Sequence, residues 1–203
     1  MNTPTQLPGT AYIVDDDEAI RDALTWLFKS RGIASQAWPS AETYLADYHP
    51  QMRGCLVLDI RMEEMSGLEL FDHLRSMGCR MPVIFLTGHG DVPQAVHSLK
   101  KGAFDFIEKP SNDNQLADRV AEALILDAEV NQRISLKASV TERLATLTQR
   151  EREVMDAVLA GKLNKVIASE LNIAMRTVEV HRARVFEKMG VKSAVELAQI
   201  LAG

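Results

Sequence analysis

The run Cys55-Leu56-Val57-Leu58 closes on a single carboxylate, Asp59. It is too short for a helix and wholly apolar, so it reads as a strand buried on both faces. A strand covered above and below calls for a parallel sheet with helices on each side. The carboxylate then sits at the carboxyl edge, where open α/β sheets place their ligands. Other apolar runs converge on the same edge. Tyr12-Ile13-Val14 leads into Asp15-Asp16-Asp17-Glu18, Val83-Ile84-Phe85-Leu86 into Thr87, and Ala103-Phe104-Asp105-Phe106-Ile107 into Lys109-Pro110.

With a weaker strand near residues 33–37, five strands are expected: 11–14, 33–37, 54–58, 83–86 and 104–107. Amphipathic stretches alternate with them. One spans about 17–30, with Ile20, Leu24, Leu27 and Phe28 as its apolar stripe. Another opens at Pro39-Ser40 and ends at His49-Pro50, with Tyr44 and Leu45 facing inward. A third, near 67–78, buries Leu68, Leu70, Phe71 and Leu74. A fourth runs over about 92–101, and a fifth starts near Asp113, taken as its N-cap. Strands alternating with helices give a doubly wound parallel sheet.

Helical spacing of apolar residues continues past this unit, and no Gly or Pro interrupts residues 111–160. The pattern suggests one long helix from about Asp113 to Ala145, or two helices with a bend near Ser135 to Ser139. Residues 1–126 form the expected α/β domain, 127–146 a helical linker and 147–203 an all-α domain of four helices. The first of these four opens on the capping box Thr148-Gln149-Arg150-Glu151, with Val154, Val158 and Leu159 inward. The second, 163–171, buries Val166, Ile167 and Leu171. The third, about 175–189, is rich in Arg and closes at Gly190. A further capping box, Ser193 to Glu196, opens the last. Two helices across a tight turn, the second basic, form a helix-turn-helix.

Charge follows the same division. Residues 1–144 carry 14 basic and 21 acidic side chains, and residues 145–203 carry 9 and 7. A net −7 suits a cation site, and a net +2 permits contact with nucleic acid. No apolar run approaches the ~20 residues of a membrane span. The N-terminus lacks a signal-peptide pattern. Cys55 and Cys79 fit neither a metal nor a disulfide pattern. They are expected as structural thiols in a reducing cytoplasm.

The strand-end residues define a chemistry. A carboxylate can attack phosphorus and hold it as an acyl phosphate. The transfer needs a cation and donors around the equatorial oxygens. Asp15, Asp16 and Asp59 offer oxygen ligands for Mg²⁺. Lys109 offers a point charge and Thr87 a hydroxyl. Asp17 and Glu18 are explained by the dipole of the helix they begin. Asp59 is therefore the candidate phosphoryl acceptor. No nucleophile–base pair suggests an independent enzyme.

The motifs Val14-Asp15-Asp16, Asp59-Ile60-Arg61-Met62, Met65-Ser66-Gly67, Thr87-Gly88-His89-Gly90 and Glu108-Lys109-Pro110 resemble those of the response-regulator receiver domain, a flavodoxin-like fold. Leu147 to Val154, Asn164-Lys165-Val166-Ile167-Ala168, Thr177-Val178-Glu179-Val180-His181 and Lys188-Met189-Gly190-Val191 resemble the output domain of the FixJ, NarL and LuxR regulators, with the FixJ branch nearest. The resemblance implies a two-component transcription regulator in which a sensor histidine kinase phosphorylates Asp59. It implies Mg²⁺ held by Asp15 or Asp16, Asp59 and the backbone carbonyl of Arg61. It further implies that Thr87 and Phe106 switch together, that Lys109-Pro110 is cis, that phosphorylation favours a homodimer, and that the output domain binds double-stranded promoter DNA beside RNA polymerase.

In the third output helix, Val178, Val185 and Met189 are the expected core face, and His181 a partly buried structural residue. By family position Glu179, Val180 and Ala183 meet base edges. Arg176, Thr177, Arg182, Arg184, Lys165 and Lys188 fix position on phosphates. The chain departs from the family at Glu63, where proline is usual, at Ser111 in place of phenylalanine, at Phe106, which has no hydroxyl, and at Ala174 in place of a capping serine. His89 is expected to contact the output surface. A phosphorelay intermediate or phosphate sink, with protein-binding C-terminal helices, is the alternative function.

Overall fold

A computed structural model describes residues 7–88, 99–109 and 112–202 of the 203-residue chain. Two compact units divide it, Met1–Asn131 and Gln132–Gly203. The first holds five strands: β1 (Thr10–Val14), β2 (Ser35–Trp38), β3 (Gly54–Asp59), β4 (Val83–Thr87) and β5 (Asp105–Glu108). They pair in the order β2-β1-β3-β4-β5, all parallel. Helices α1 (Glu18–Ser30), α2 (Ala41–Asp47) and α3 (Gly67–Ser76) alternate with them. Helix α4 runs without a break from Asp113 to Ala145 and passes from the first unit into the second.

Alternation along each strand sorts the core onto two faces. Ala11, Ile13, Cys55, Val57, Ile84 and Leu86 pack with α1 and the first turns of α4. Tyr12, Val14, Leu56, Leu58, Val83 and Phe85 pack with α2 and α3 on the other side. This two-sided burial is why β3 carries no polar residue before Asp59. Register then sets the site. Val14 stands opposite Leu58, Asp59 opposite Leu86, and Thr87 opposite Glu108. The residues that follow these pairs emerge together at one edge, where strand order reverses between β1 and β3.

The second unit contains α5 (Gln149–Leu159), α6 (Asn164–Glu170), α7 (Met175–Met189) and α8 (Ala194–Ala202). Its core includes Leu147, Val154, Val158, Ile167, Val178, Val185, Met189 and Leu197. Gly190 ends α7 in the left-handed region at φ 67, which a side chain would strain.

Several local expectations are corrected. Leu159 is 39% exposed while Met155, one turn earlier, is buried, because Leu159 is the last residue of α5 and lies at the edge of its buried stripe. Val166 is 44% exposed, since a two-turn helix buries one narrow face and Ile167 occupies it. The cap of α4 is Asn112, whose Oδ1 accepts from the amides of Asn114 and Gln115; Asp113 is already helical. At α8 the Ser193 hydroxyl accepts from the Glu196 amide, but Glu196 turns back to the amide of Lys192. Strands β2 and β5 sit one or two residues later than expected. Expectations for His89, for most of the helix near 92–101, for Pro110 and for Ser111 lie outside the described residues.

Candidate functional site

Asp15 is 1% exposed and Asp59 is 7% exposed, two carboxylates at neighbouring strand ends. Between them lies Lys109. Its Nζ is 2.8 Å from Asp15 Oδ2 and 2.5 Å from Asp59 Oδ1. Burial pushes the Asp59 carboxyl up; the Lys109 ammonium and the Arg61 amide draw it back without cancelling the rise. For Lys109, burial works against the charge, but its hydrogen bonds to Asp15 and Asp59 outweigh it and hold the ammonium protonated. Asp59 is thus a buried carboxylate with an ammonium on one of its oxygens.

Local sequence explains how each part is held. Asp15 Oδ1 accepts the Asp17 amide at 3.0 Å, and Asp17 caps α1 through the Ala19 amide. Arg21, one turn into α1, donates to the Asp15 carbonyl at 2.8 Å. Nothing in the sequence singled out Arg21, since its partner is a backbone oxygen. Lys109 is anchored by its own amide, which donates to the Thr87 carbonyl at 2.7 Å. Thr87 is fully buried, and its hydroxyl donates to the Gly88 carbonyl. Phe106 is half-buried against the α3-side core. Asp16 is exposed beside the pair. Gly67 is required here, because a Cβ would lie 2.0 Å from the Asp59 carbonyl.

The oxygen-only donor set of Asp15, Asp16, Asp59 and a loop carbonyl fits a hard divalent cation rather than a soft one. Among the described residues no three such groups already stand together as a metal cluster. The ammonium of Lys109 occupies the space between two of them.

In the second unit, α7 presents Arg176, Thr177, Glu179, Val180, Ala183 and Arg184 as exposed residues, and Val178, Val185 and Met189 are buried. Lys165 is exposed on α6. Arg176 Nη1 reaches Glu179 Oε2 at 3.4 Å. Two other cations are engaged inside the domain. Arg182 Nη1 donates to Asn164 Oδ1 at 2.7 Å and its guanidinium lies over the Phe186 ring. Lys188 Nζ donates to Glu151 Oε2 at 2.6 Å and to the Thr146 carbonyl at 2.9 Å. The Nδ1 atom of His181 is buried without a partner among the described residues. Ala174 supplies no side-chain cap to α7.

Glu151 therefore has two tasks. It closes the capping box with Thr148 and neutralises Lys188 from a side chain only 3% exposed. Lys188, and then the Thr148 amide, hold its carboxyl down at about 2 from an ordinary 4.5. A carboxyl lowered by folding stabilises the fold above pH about 4.5 and loses that contribution as pH falls toward 2. Glu151→Gln keeps the capping oxygen and removes the charge. It should cost the helical unit about 1 kcal/mol at neutral pH. Circular dichroism melts should show the gap between variant and parent closing over that acid window.

Comparison with known proteins places both units. Residues 11–121 match the Response regulator receiver domain, and residues 145–201 match Bacterial regulatory proteins, luxR family. A receiver followed by a LuxR-type helix-turn-helix is the architecture of response regulators that control transcription. The C4-dicarboxylate transport transcriptional regulatory protein DctR of Rhodobacter capsulatus is 50% identical over 193 residues, spanning 94% of this chain and 98% of that protein. The transcriptional regulatory protein FixJ of Rhizobium meliloti is 46% identical over 200 residues, 96% of each. Among solved structures, the response regulator StyR aligns with a TM-score of 0.89 at 37% identity, over 96% of this chain and 98% of that one. Full-length FixJ from B. japonicum aligns with a TM-score of 0.60 at 38% identity, over 95% of each. The chain belongs to the FixJ-type response regulators and is a transcription regulator with a phosphorylation receiver. No described helix is long and apolar enough to cross a membrane.

Proposed function

We propose that a sensor histidine kinase transfers a phosphoryl group to Asp59, and that this event controls dimerisation and promoter binding. The observation that carries the reading is Lys109 bridging the buried carboxylates of Asp15 and Asp59. An Asp59 oxygen attacks phosphorus as the bond to the donor's imidazole nitrogen breaks, leaving an acyl phosphate. Asp15, Asp16, Asp59 and the Arg61 carbonyl would hold Mg²⁺, which neutralises charge on the phosphoryl oxygens. Lys109 is placed to follow the new phosphate, and the Thr87 hydroxyl to leave Gly88 for a phosphoryl oxygen. Phe106 then repacks without any hydrogen bond of its own.

On the output unit, Glu179, Val180 and Ala183 are the proposed base readers. Arg176, Thr177, Arg184 and Lys165 are proposed for phosphates. The internal bonds of Arg182 and Lys188 make them supports of the reading helix first. RNA polymerase is the further partner that a promoter-bound regulator would meet, in the cytoplasm.

Sedimentation velocity with Mg²⁺ and beryllofluoride should show a monomer becoming a dimer. Binding to duplex DNA should fall steeply and linearly on a log–log plot against salt. A salt-insensitive output unit that captures protein instead would favour a phosphorelay intermediate or phosphate sink.

A further inference from the structure

Helix α2 is tied by one side chain to the loop that follows Asp59. Glu42, in the first turn of α2, accepts the Met65 amide on its Oε1 at 3.2 Å. The same carboxylate is held below its ordinary range by its own first-turn amide, then by the Ser40 side chain, then by Met65. Met65 lies in the loop 60–66 between β3 and α3. That loop carries Arg61, whose amide hydrogen-bonds the Asp59 carboxylate.

Other ties hold the ends of the loop: the Ile60 amide donates to the Leu86 carbonyl at 3.1 Å, and the Ser66 amide to Glu69 Oε2 at 2.9 Å. Its closing bond runs from the Gly67 amide to the Ile60 carbonyl at 3.0 Å. Between them Glu64 sits at φ 60, a left-handed conformation that costs a non-glycine residue energy unless its surroundings impose it. Glu63 occupies the place where a proline would have restricted the backbone covalently. The Glu42 bond supplies a tie from a different element. It fixes the loop just after the strained residue, four positions beyond Arg61.

We propose that Glu42 is a positioning residue for phosphoryl transfer, holding the 60–66 loop so that the Arg61 backbone stays aligned with Asp59. This rests on the phosphoacceptor reading above. A competing account is purely electrostatic. Asp16, Asp17, Glu42, Glu63 and Glu64 share the lining of a cavity of about 430 Å³, so Glu42 also adds negative potential there. The two accounts separate cleanly. Position needs an acceptor oxygen, and potential needs a charge.

The test uses the full chain with Glu42→Ala and Glu42→Gln. Mg²⁺ binding is followed by titration calorimetry and phosphoryl uptake by labelling from acetyl phosphate, at a temperature where Mg²⁺-free melts show each variant folded. Glu42→Ala should weaken Mg²⁺ binding about fivefold, the scale of one lost hydrogen bond, and slow labelling in proportion. Glu42→Gln retains the acceptor and should stay within about twofold of the parent. An alanine variant that matches the parent overturns the proposal, as does a glutamine variant as impaired as alanine. A parent chain that binds no Mg²⁺, or labels equally as Asp59→Asn, would instead remove the phosphoacceptor reading and this inference with it.

Discussion

Replacing Asp59 with asparagine should reduce acetyl-phosphate labelling to background and abolish the beryllofluoride-driven change in assembly. The amide is nearly isosteric with the carboxylate, so the buried strand end keeps its shape. What disappears is the anionic oxygen that would attack phosphorus. The rest of the site remains, since Lys109 keeps its 2.8 Å bond to Asp15. The fold should therefore survive with the response gone. Labelling that persists in the variant would move the acceptor to another residue.

The second large effect is expected at Lys109. Lys109→Met fills similar volume without charge and leaves Asp15 and Asp59 facing each other, both nearly inaccessible to water. Removing one partner of a buried pair is far more damaging than replacing both. The lysine side chain is itself 26% exposed, so some screening remains. A loss of about 2–4 kcal/mol in the absence of Mg²⁺ is expected. Adding Mg²⁺ should recover much of it, because a divalent cation between the carboxylates replaces the missing ammonium. Thermal melts with chelator and with Mg²⁺ would show this. A variant as stable as the parent in chelator would mean that the carboxylates are not held by Lys109.

Much of this arrangement is legible in the sequence. The unbroken apolar run of β3 required cover on both faces, and Asp59 at its end marked the edge where Lys109 and Asp15 also meet. Thr87 and Lys109 followed because parallel register carries neighbouring strand ends to one place. Val178, Val185 and Met189 were readable from helical spacing, and all three are buried. What escaped were bonds whose partners lie far apart in the chain or on the backbone. Arg21 serves the Asp15 carbonyl, Glu42 the Met65 amide 23 residues away, and Asn164 the Arg182 guanidinium 18 away. Lys188 shows the limit of counting charges. A lysine on the basic helix suggested a phosphate contact; its ion pair with Glu151 from another helix was not legible from charge alone. Short helices misled for a geometric reason. Val166 has apolar chemistry, but two turns of α6 leave room for only one buried neighbour, Ile167.

The engagement of Arg182 and Lys188 inside the output unit bears on how such a regulator would respond in a cell. With those two cations engaged internally, one copy of the domain would offer DNA a modest number of phosphate contacts, Lys165 and Arg184 being the proposed ones. Its grip alone would be correspondingly weak at physiological salt. Under the proposed pairing, two copies bound side by side multiply their affinities rather than add them. Promoter occupancy would then rise with roughly the square of the phosphorylated concentration. A stray phosphorylation would leave the gene silent, and a sustained signal would cross a threshold. Thrift in surface charge on α7 would thus act as a noise filter on transcription.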